Sequence, residues 1–257
     1  MPFAPSDAPA SSSELGRRSV YFVGDSLSSQ HFHEFACEMQ IDRVVPAVDL
    51  SAAGLVNTTC AMRRQDAQPG RVCFLQAGER LDEPSAASVC KMLSLSGALH
   101  AGDIVVANEG LWHRAFDKDG AAREMERVGE FAHHGSCVPR LRSLGVRLLW
   151  RETSAQHFSR SPTGQYKAGC KVAGCGSCGP IADTVPLEAL NTAVTTRMQS
   201  VGVPVLPLFA ATLPLWDAHV IRRSAYVQQW HILDCTHFCE PNTIFTALTP
   251  LLLQRMA

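Results

Sequence analysis

Ser26, Asp234 and His237 are the residue types of a nucleophile, an orienting carboxylate and a general base. Ser26 stands in Gly24-Asp25-Ser26-Leu27, directly behind the apolar run Val20-Tyr21-Phe22-Val23. Asp234 and His237 stand in Asp234-Cys235-Thr236-His237, close to the C-terminus. A serine attacks only if a base of near-neutral pKa takes its proton, and a histidine serves when a carboxylate holds it in one tautomer. Asp-x-x-His brings both partners from one turn of chain. The chemistry expected of such a set is acyl transfer through a serine ester.

The surrounding pattern says how these residues are positioned. Four apolar residues bounded by Gly24 predict a short buried strand over 20–23. Phe32, Phe35, Ala36 and Met39 recur at near-helical spacing, so a helix is predicted to begin near Leu27. Ser26 then lies where strand gives way to helix, and the unpaired N–H groups of a helix start suit a developing oxyanion, the Ser26 N–H first among them. Asp25 and Ser26 are also favoured cap residues, so a capping role stays open for either. The stretch differs from the Gly-x-Ser-x-Gly elbow of α/β-hydrolases, because no glycine follows Ser26. His237 has a competing reading as a structural or metal-bound histidine, since Cys235 and Cys239 flank it.

Asp103 to Ala107 reads as a strand start and a buried run, which puts Asn108 at a strand's C-terminal end. In open parallel sheets ligands bind at that edge, and a side-chain amide there can donate to an oxyanion. A turn asparagine bonded to its local backbone is the alternative. Gly54 is a candidate for a second backbone donor, although loop glycines commonly supply backbone freedom alone. Arg151 and His157 follow the apolar run Val146 to Trp150 and are expected at the same edge. Arg151 could bind a substrate carboxylate there, or pair with a neighbouring acid as a surface arginine. Trp112 could stack on a sugar ring or pack in the core. Asp25, beside the serine, joins Trp112, Arg151 and His157 in the expected substrate-binding set.

The chain has 257 residues, enough for one α/β domain with a substantial core. Met125, Val128, Phe131 and Leu141 trace one helical pattern, and Leu187, Leu190, Val194, Met198 and Val201 another. A strand-like run from Val203 to Phe209, interrupted by prolines, follows the second. Strands alternating with helices predict a parallel, doubly wound sheet. Residues 1–18, rich in Pro, Ala and Ser, read as a flexible lead-in, and 19–257 as a single domain. A net charge of −1 without a basic run argues against a nucleic-acid partner. No run of about 18 apolar residues is present, so no membrane span is expected.

Ten cysteines, an even number, suit an oxidising compartment and several disulfides. The first residues carry no basic n-region followed by an apolar h-region, so the chain is expected to be a form that lacks its targeting segment. A cytosolic protein with free thiols is the alternative. Cys175-x-x-Cys178, set among glycines and followed by Gly179-Pro180, could be a redox pair, half of a zinc site with Cys235 and Cys239, or a disulfide-tied loop. The flanking structure that a redox pair or a zinc site needs is missing, so the tied loop is expected and no metal.

Gly24-Asp25-Ser26-Leu27-Ser28 through Cys37, and Asp234-Cys235-Thr236-His237-Phe238-Cys239, resemble the two signature blocks of the trichome-birefringence-like (PC-esterase) branch of the SGNH superfamily. The segments Asp103 to Trp112 and Trp150 to Phe158 resemble it as well. The resemblance implies a flavodoxin-like α/β fold, a three-layer sandwich around a mainly parallel sheet. It implies a Ser26-His237-Asp234 triad with Asn108 as an oxyanion donor. It also implies O-acetylation of a polysaccharide or oligosaccharide in the secretory pathway, the Golgi lumen or outside the cell. No bound cofactor is implied, and an acyl donor such as acetyl-CoA would be a co-substrate. The sequence departs from the family at Ser29-Gln30, where an arginine is usual, at His113 after Trp112, where a second tryptophan is usual, and in lacking the N-terminal cysteine-rich block. These departures keep an esterase open beside a transferase. A glycan-binding protein that has lost its chemistry on the same fold is the non-enzymatic alternative.

Overall fold

The computed structural model of the chain describes residues 18–41, 43–46, 50, 55, 58–62, 70–77, 84–111, 119–133, 137–166, 177–223, 231–238 and 243–256. It opens with strand β1 (Val20–Gly24) and helix α1 (Ser26–Glu38), the strand and helix that the apolar patterns predict. Then come β2 (Arg43–Pro46), β3 (Thr58–Met62), β4 (Arg71–Gln76), α2 (Ala86–Leu95) and β5 (Ile104–Ala107). Next are α3 (Gly120–Ala132), α4 (Cys137–Ser143), β6 (Arg147–Arg151), α5 (Val185–Ser200), β7 (Val205–Leu206) and the short α6 (Phe209–Thr212). The chain closes with β8 (His219–Arg223), β9 (His231–Phe238) and α7 (Thr243–Met256).

Seven strands form one sheet in the order β2-β3-β4-β1-β5-β6-β7, and β8 pairs with β9 in a separate two-stranded sheet. The fold is therefore mixed α/β with a mainly parallel central sheet. β4, β1, β5, β6 and β7 run parallel, while β3 is antiparallel to β4 and β2 to β3. Taken in chain order, the five parallel strands lie in the spatial order 2-1-3-4-5.

The core follows from strand periodicity. Successive side chains of β1 point to opposite faces. Tyr21 and Val23 pack with Val89, Leu93, Val128, Phe131, Leu141 and Val194, which come from α2, α3, α4 and α5. Val20 and Phe22 pack with Phe32, Phe35 and Met39 of the α1 side and with Leu252 of α7. All five residues of β1 are buried, which is why its sequence is apolar without alternation. Burying each such large apolar side chain contributes about 1.5–3 kcal/mol.

Two elements differ from expectation. Met125, Val128 and Phe131 belong to α3, whereas Leu141 belongs to the separate helix α4. Pro139 lies in the first turn of α4, where its missing N–H costs nothing, so it marks a new start rather than a continuation. The run from Val203 to Phe209 shortens to Val205–Leu206, because Pro204 and Pro207 bracket it and Phe209 opens α6.

Three disulfides cross-link described segments. Cys60–Cys73 joins facing residues of β3 and β4, Cys90–Cys137 joins α2 to α4, and Cys178–Cys235 ties the loop before α5 to β9. Cys37 is free and exposed. Cys178 and Cys235 are joined to each other, so the zinc reading, which drew on Cys175 and Cys178 with Cys235 and Cys239, loses one ligand from each pair. The expected tied loop is present at Cys178, while Cys170, Cys175 and Cys239 lie outside the described residues. No helix among the described residues is long and apolar enough to cross a membrane.

Candidate active site

Ser26 is the first residue of α1, directly after β1 ends at the sheet's C-terminal edge. Asp25 takes the cap: its Oδ1 accepts from the N–H of Leu27 at 3.0 Å and of Ser28 at 3.4 Å. The Ser26 hydroxyl is thereby left for other use, and its N–H has no acceptor among the described residues. Gly24 makes the approach possible. Its φ is +157°, and a Cβ there would stand 2.7 Å from the Asn108 carbonyl oxygen and overlap the Ser28 hydroxyl.

The distal pair meets the serine. His237 Nε2 lies 2.7 Å from Ser26 Oγ, and His237 Nδ1 lies 2.7 Å from Asp234 Oδ2. A carboxylate can only accept, so Nδ1 carries the hydrogen and the Nε2 lone pair faces the serine hydroxyl. The other oxygen of Asp234 accepts from the N–H groups of Thr236 at 3.1 Å and His237 at 3.2 Å. Burial alone would raise the Asp234 pKa. The hydrogen bond and charge of His237, with those two backbone donors, outweigh it and hold the carboxyl below its ordinary value of 3.8. Side chains of Asp234 and His237 are each 16 % exposed, so the pair is sheltered yet reachable.

Arg151 and Asn108 sit at the expected strand ends, but both face inward. Arg151 is 1 % exposed. Its guanidinium donates to the Leu27 carbonyl at 3.0 Å, to Ser28 Oγ at 3.1 Å and to Asn108 Oδ1 at 3.0 Å, and lies 3.8 Å from Asp25 Oδ1. Burial pushes its pKa down to about 10 against the opposing pull of Asp25. The substrate-carboxylate role expected of Arg151 is corrected to a brace under the first turn of the serine's helix. The Asn108 amide donates to the Arg151 carbonyl at 2.9 Å and to Thr153 Oγ1 at 3.3 Å. Both of its N–H groups are thus engaged, and donation to an oxyanion would require exchange of the longer bond.

Asp25 is likewise corrected from substrate contact to cap. It is 2 % exposed, and burial raises its pKa although Arg151, the Leu27 and Ser28 N–H groups and His237 oppose the rise. His157, fully buried, faces His219 rather than solvent: His157 Nδ1 lies 2.6 Å from His219 Nε2, and His157 Nε2 lies 3.1 Å from the Leu213 carbonyl. Burial, with the charge on His219, lowers the His157 pKa to about 4 against the Leu213 carbonyl bond. Gly54 and Trp112 lie outside the described residues.

The segment after β6 braces β9 at several points. The Gln156 amide donates to Thr236 Oγ1 at 2.9 Å, the His157 N–H to the Cys235 carbonyl at 3.0 Å, and Cys178–Cys235 closes the loop behind them. Sequence reasoning missed three contributors. Gln30 donates to the Phe238 carbonyl at 2.6 Å and accepts from the Phe238 N–H at 3.3 Å. Its position four residues after Ser26, on the same helical face, was the available signal. Thr153 Oγ1 accepts from the Asn108 amide, and His219 Nδ1–H donates to the His237 carbonyl at 2.9 Å, since a carbonyl only accepts. Nothing in His219-Val220-Ile221-Arg222-Arg223 marks His219 in the sequence.

Comparison with known protein families finds none that matches the sequence, and no curated protein matches it.

Proposed function

We propose that this chain is a serine-dependent acyl-transfer enzyme, and specifically an O-acetyltransferase of polysaccharide hydroxyls. One observation carries the reading: the continuous run from Ser26 Oγ to His237 Nε2 and from His237 Nδ1 to Asp234 Oδ2, each step 2.7 Å. Support for the fold comes from the 2-1-3-4-5 order of the parallel strands, which is that of flavodoxin-like folds, and from the site's place at the strands' C-terminal edge. The polysaccharide acceptor rests on the resemblance to the PC-esterase branch. Three disulfides support a lumenal or extracellular setting.

In this reading Ser26 Oγ attacks the carbonyl carbon of the acyl donor while His237 Nε2 takes the hydroxyl proton. Asp234 keeps the Nδ1–H tautomer and stabilises the imidazolium. The tetrahedral oxyanion forms beside the Ser26 N–H at the positive end of α1. His237 returns the proton to the departing group, leaving acetyl on Ser26. The sugar hydroxyl then gives its proton to His237, its oxygen attacks the ester carbonyl, and Ser26 Oγ leaves and recovers the proton. Water in place of the sugar yields acetate.

Intact-mass spectrometry after exposure to a chromogenic acetyl ester tests this. Wild type is expected to gain one acetyl group that Ser26→Ala does not. A folded wild type with neither adduct nor ester turnover would remove the acyl-enzyme, and the glycan-binding alternative would take its place. A xylan oligomer added to the acylated protein separates transfer from hydrolysis.

A further inference from the structure

His157 and His219 have fewer hydrogens than bonds. Three contacts run in series: His157 Nε2 to the Leu213 carbonyl at 3.1 Å, His157 Nδ1 to His219 Nε2 at 2.6 Å, and His219 Nδ1 to the His237 carbonyl at 2.9 Å. The two carbonyls can only accept, so both outer nitrogens must carry hydrogen. A neutral imidazole has one N–H. Two neutral rings would therefore give both hydrogens to the carbonyls and turn lone pairs toward each other across 2.6 Å. The arrangement needs a third hydrogen between the rings.

We propose that His157 and His219 are positioning residues for His237, holding one shared proton between His157 Nδ1 and His219 Nε2 so that the backbone carbonyl of the base stays anchored. The functional half of this statement rests on the triad reading above, and the proton rests on the geometry alone. The proton comes from solvent and leaves the pair with a single positive charge. Once it is lost, two hydrogens serve three contacts, and the bond to either Leu213 or His237 must open.

The surroundings suit such a bridge. Both rings are buried, His219 stacks on Phe238 with ring centroids 4.6 Å apart, and β9 is the strand that carries Asp234 and His237. The charges of Asp234 and Asp217 favour the protonated form of His219, a charged His237 opposes it, and His219 is the charged neighbour that acts on His157. Burial lowers both imidazoles from 6.5, His157 to about 4, so the pair takes up protons below the ordinary imidazole range. Such steps belong to the pair and not to one residue.

Nitrogen-15 histidine NMR on the full chain, titrated from pH 7.5 to 4.5, needs no activity and so is separable from the triad reading. The expected result is one common midpoint for both rings and a far-downfield proton coupled to the bridging nitrogens. Separate midpoints, or rings that stay neutral until acid unfolding, would overturn the proposal. Ester turnover supplies the positioning readout. Wild-type kcat is expected to fall as pH rises through the pair's midpoint, and His157→Gln to lose that limb, because a glutamine N–H stays donated to His219 Nε2 at every pH. A variant profile with the limb unchanged would also overturn it. His219→Leu, which frees the His237 carbonyl, is expected to lower kcat by about 10- to 100-fold with KM little changed.

Discussion

Gln30 and Phe238 are joined twice, the side-chain amide of one closing on both backbone groups of the other at 2.6 and 3.3 Å. Gln30 lies one helical turn after Ser26, and Phe238 directly follows His237. The clamp therefore fixes the distance between helix α1 and strand β9, and with it the 2.7 Å between nucleophile and base. Gln30→Leu leaves the Phe238 N–H and carbonyl without these partners in a buried site. The expected loss is about 1–3 kcal/mol of stability. A misplacement of the base is also expected to cut kcat by about 10- to 100-fold. Gln30→Glu keeps the acceptor but not the donor and should fall between the two. Urea midpoints and ester turnover on the three proteins check this. Equal kcat in all would mean that other contacts set the spacing.

Asp234 is the group that gives His237 its tautomer, so Asp234→Asn tests orientation without changing shape. The asparagine N–H can face Nδ1, which then presents its lone pair and leaves Nε2–H pointing at Ser26. Base function is lost, and kcat is expected to fall on the order of 10⁴-fold. Thermal stability should change much less than activity, and a parallel collapse of both would argue that Asp234 is chiefly a structural anchor for β9.

How much of this was legible in the sequence depends on what kind of fact each residue required. Ser26, Asp234 and His237 could be read because their chemistry is local: two short blocks contain the whole set. Asn108 and Arg151 could be placed at strand ends, because Ile104–Ala107 and Arg147–Arg151 are marked by apolar runs. Their direction could not be read. The two side chains are buried and bonded to each other rather than open to solvent. His219 was invisible because its partner, His157, lies 62 residues away and pairs with it only after β8 folds onto β9. The mainly parallel sheet was legible from alternation of element types, but the antiparallel pairing of β3 with β4 and of β2 with β3 was not.

Arg151 should be required for folding more than for turnover. It is the cation of a buried ion pair with Asp25 and donates to Leu27, Ser28 and Asn108. Arg151→Met leaves Asp25 charged and buried without its partner, which costs about 3–5 kcal/mol. Asp25→Asn retains a cap oxygen and removes the charge, so the double variant Arg151→Met with Asp25→Asn should recover part of that loss. Chemical denaturation of both singles and the double gives the coupling directly. Additive losses would show that the two side chains act independently.

Cys178–Cys235 closes a loop of 57 residues next to Asp234. The chain-entropy relation puts its stabilisation at about 4 kcal/mol. Replacing both cysteines by serine should lower Tm and also kcat, since Cys235 lies between the two triad members on β9 and its carbonyl receives the His157 N–H. The equivalent change at Cys60 and Cys73, on the opposite side of the sheet order from β7, should lower Tm with kcat little affected. A similar kcat in both double variants would mean that the site does not depend on the nearby cross-link.

Acid should weaken the fold in a window set by the buried histidines. Burial holds the His157 and His219 pair below the ordinary imidazole value of 6.5 in the folded chain, His157 down to about 4. A depressed imidazole means that the unfolded chain binds more protons between these values, so stability falls as pH drops from about 6.5 to about 4. Asp234 adds a second loss further down: its folded pKa lies below 3.8, so its contribution is complete above 3.8 and disappears as pH falls through the folded value. Asp25, whose pKa is raised by burial, works in the opposite sense, so the wild-type slope is a sum of unlike parts. The difference between wild type and His157→Gln isolates the histidine share. Urea midpoints at pH 7, 5.5 and 4.5 should converge for the two proteins as pH falls, because the variant lacks one of the two imidazoles whose protonation the fold suppresses. Parallel curves would show that His157 is as free to protonate in the folded chain as in the unfolded one.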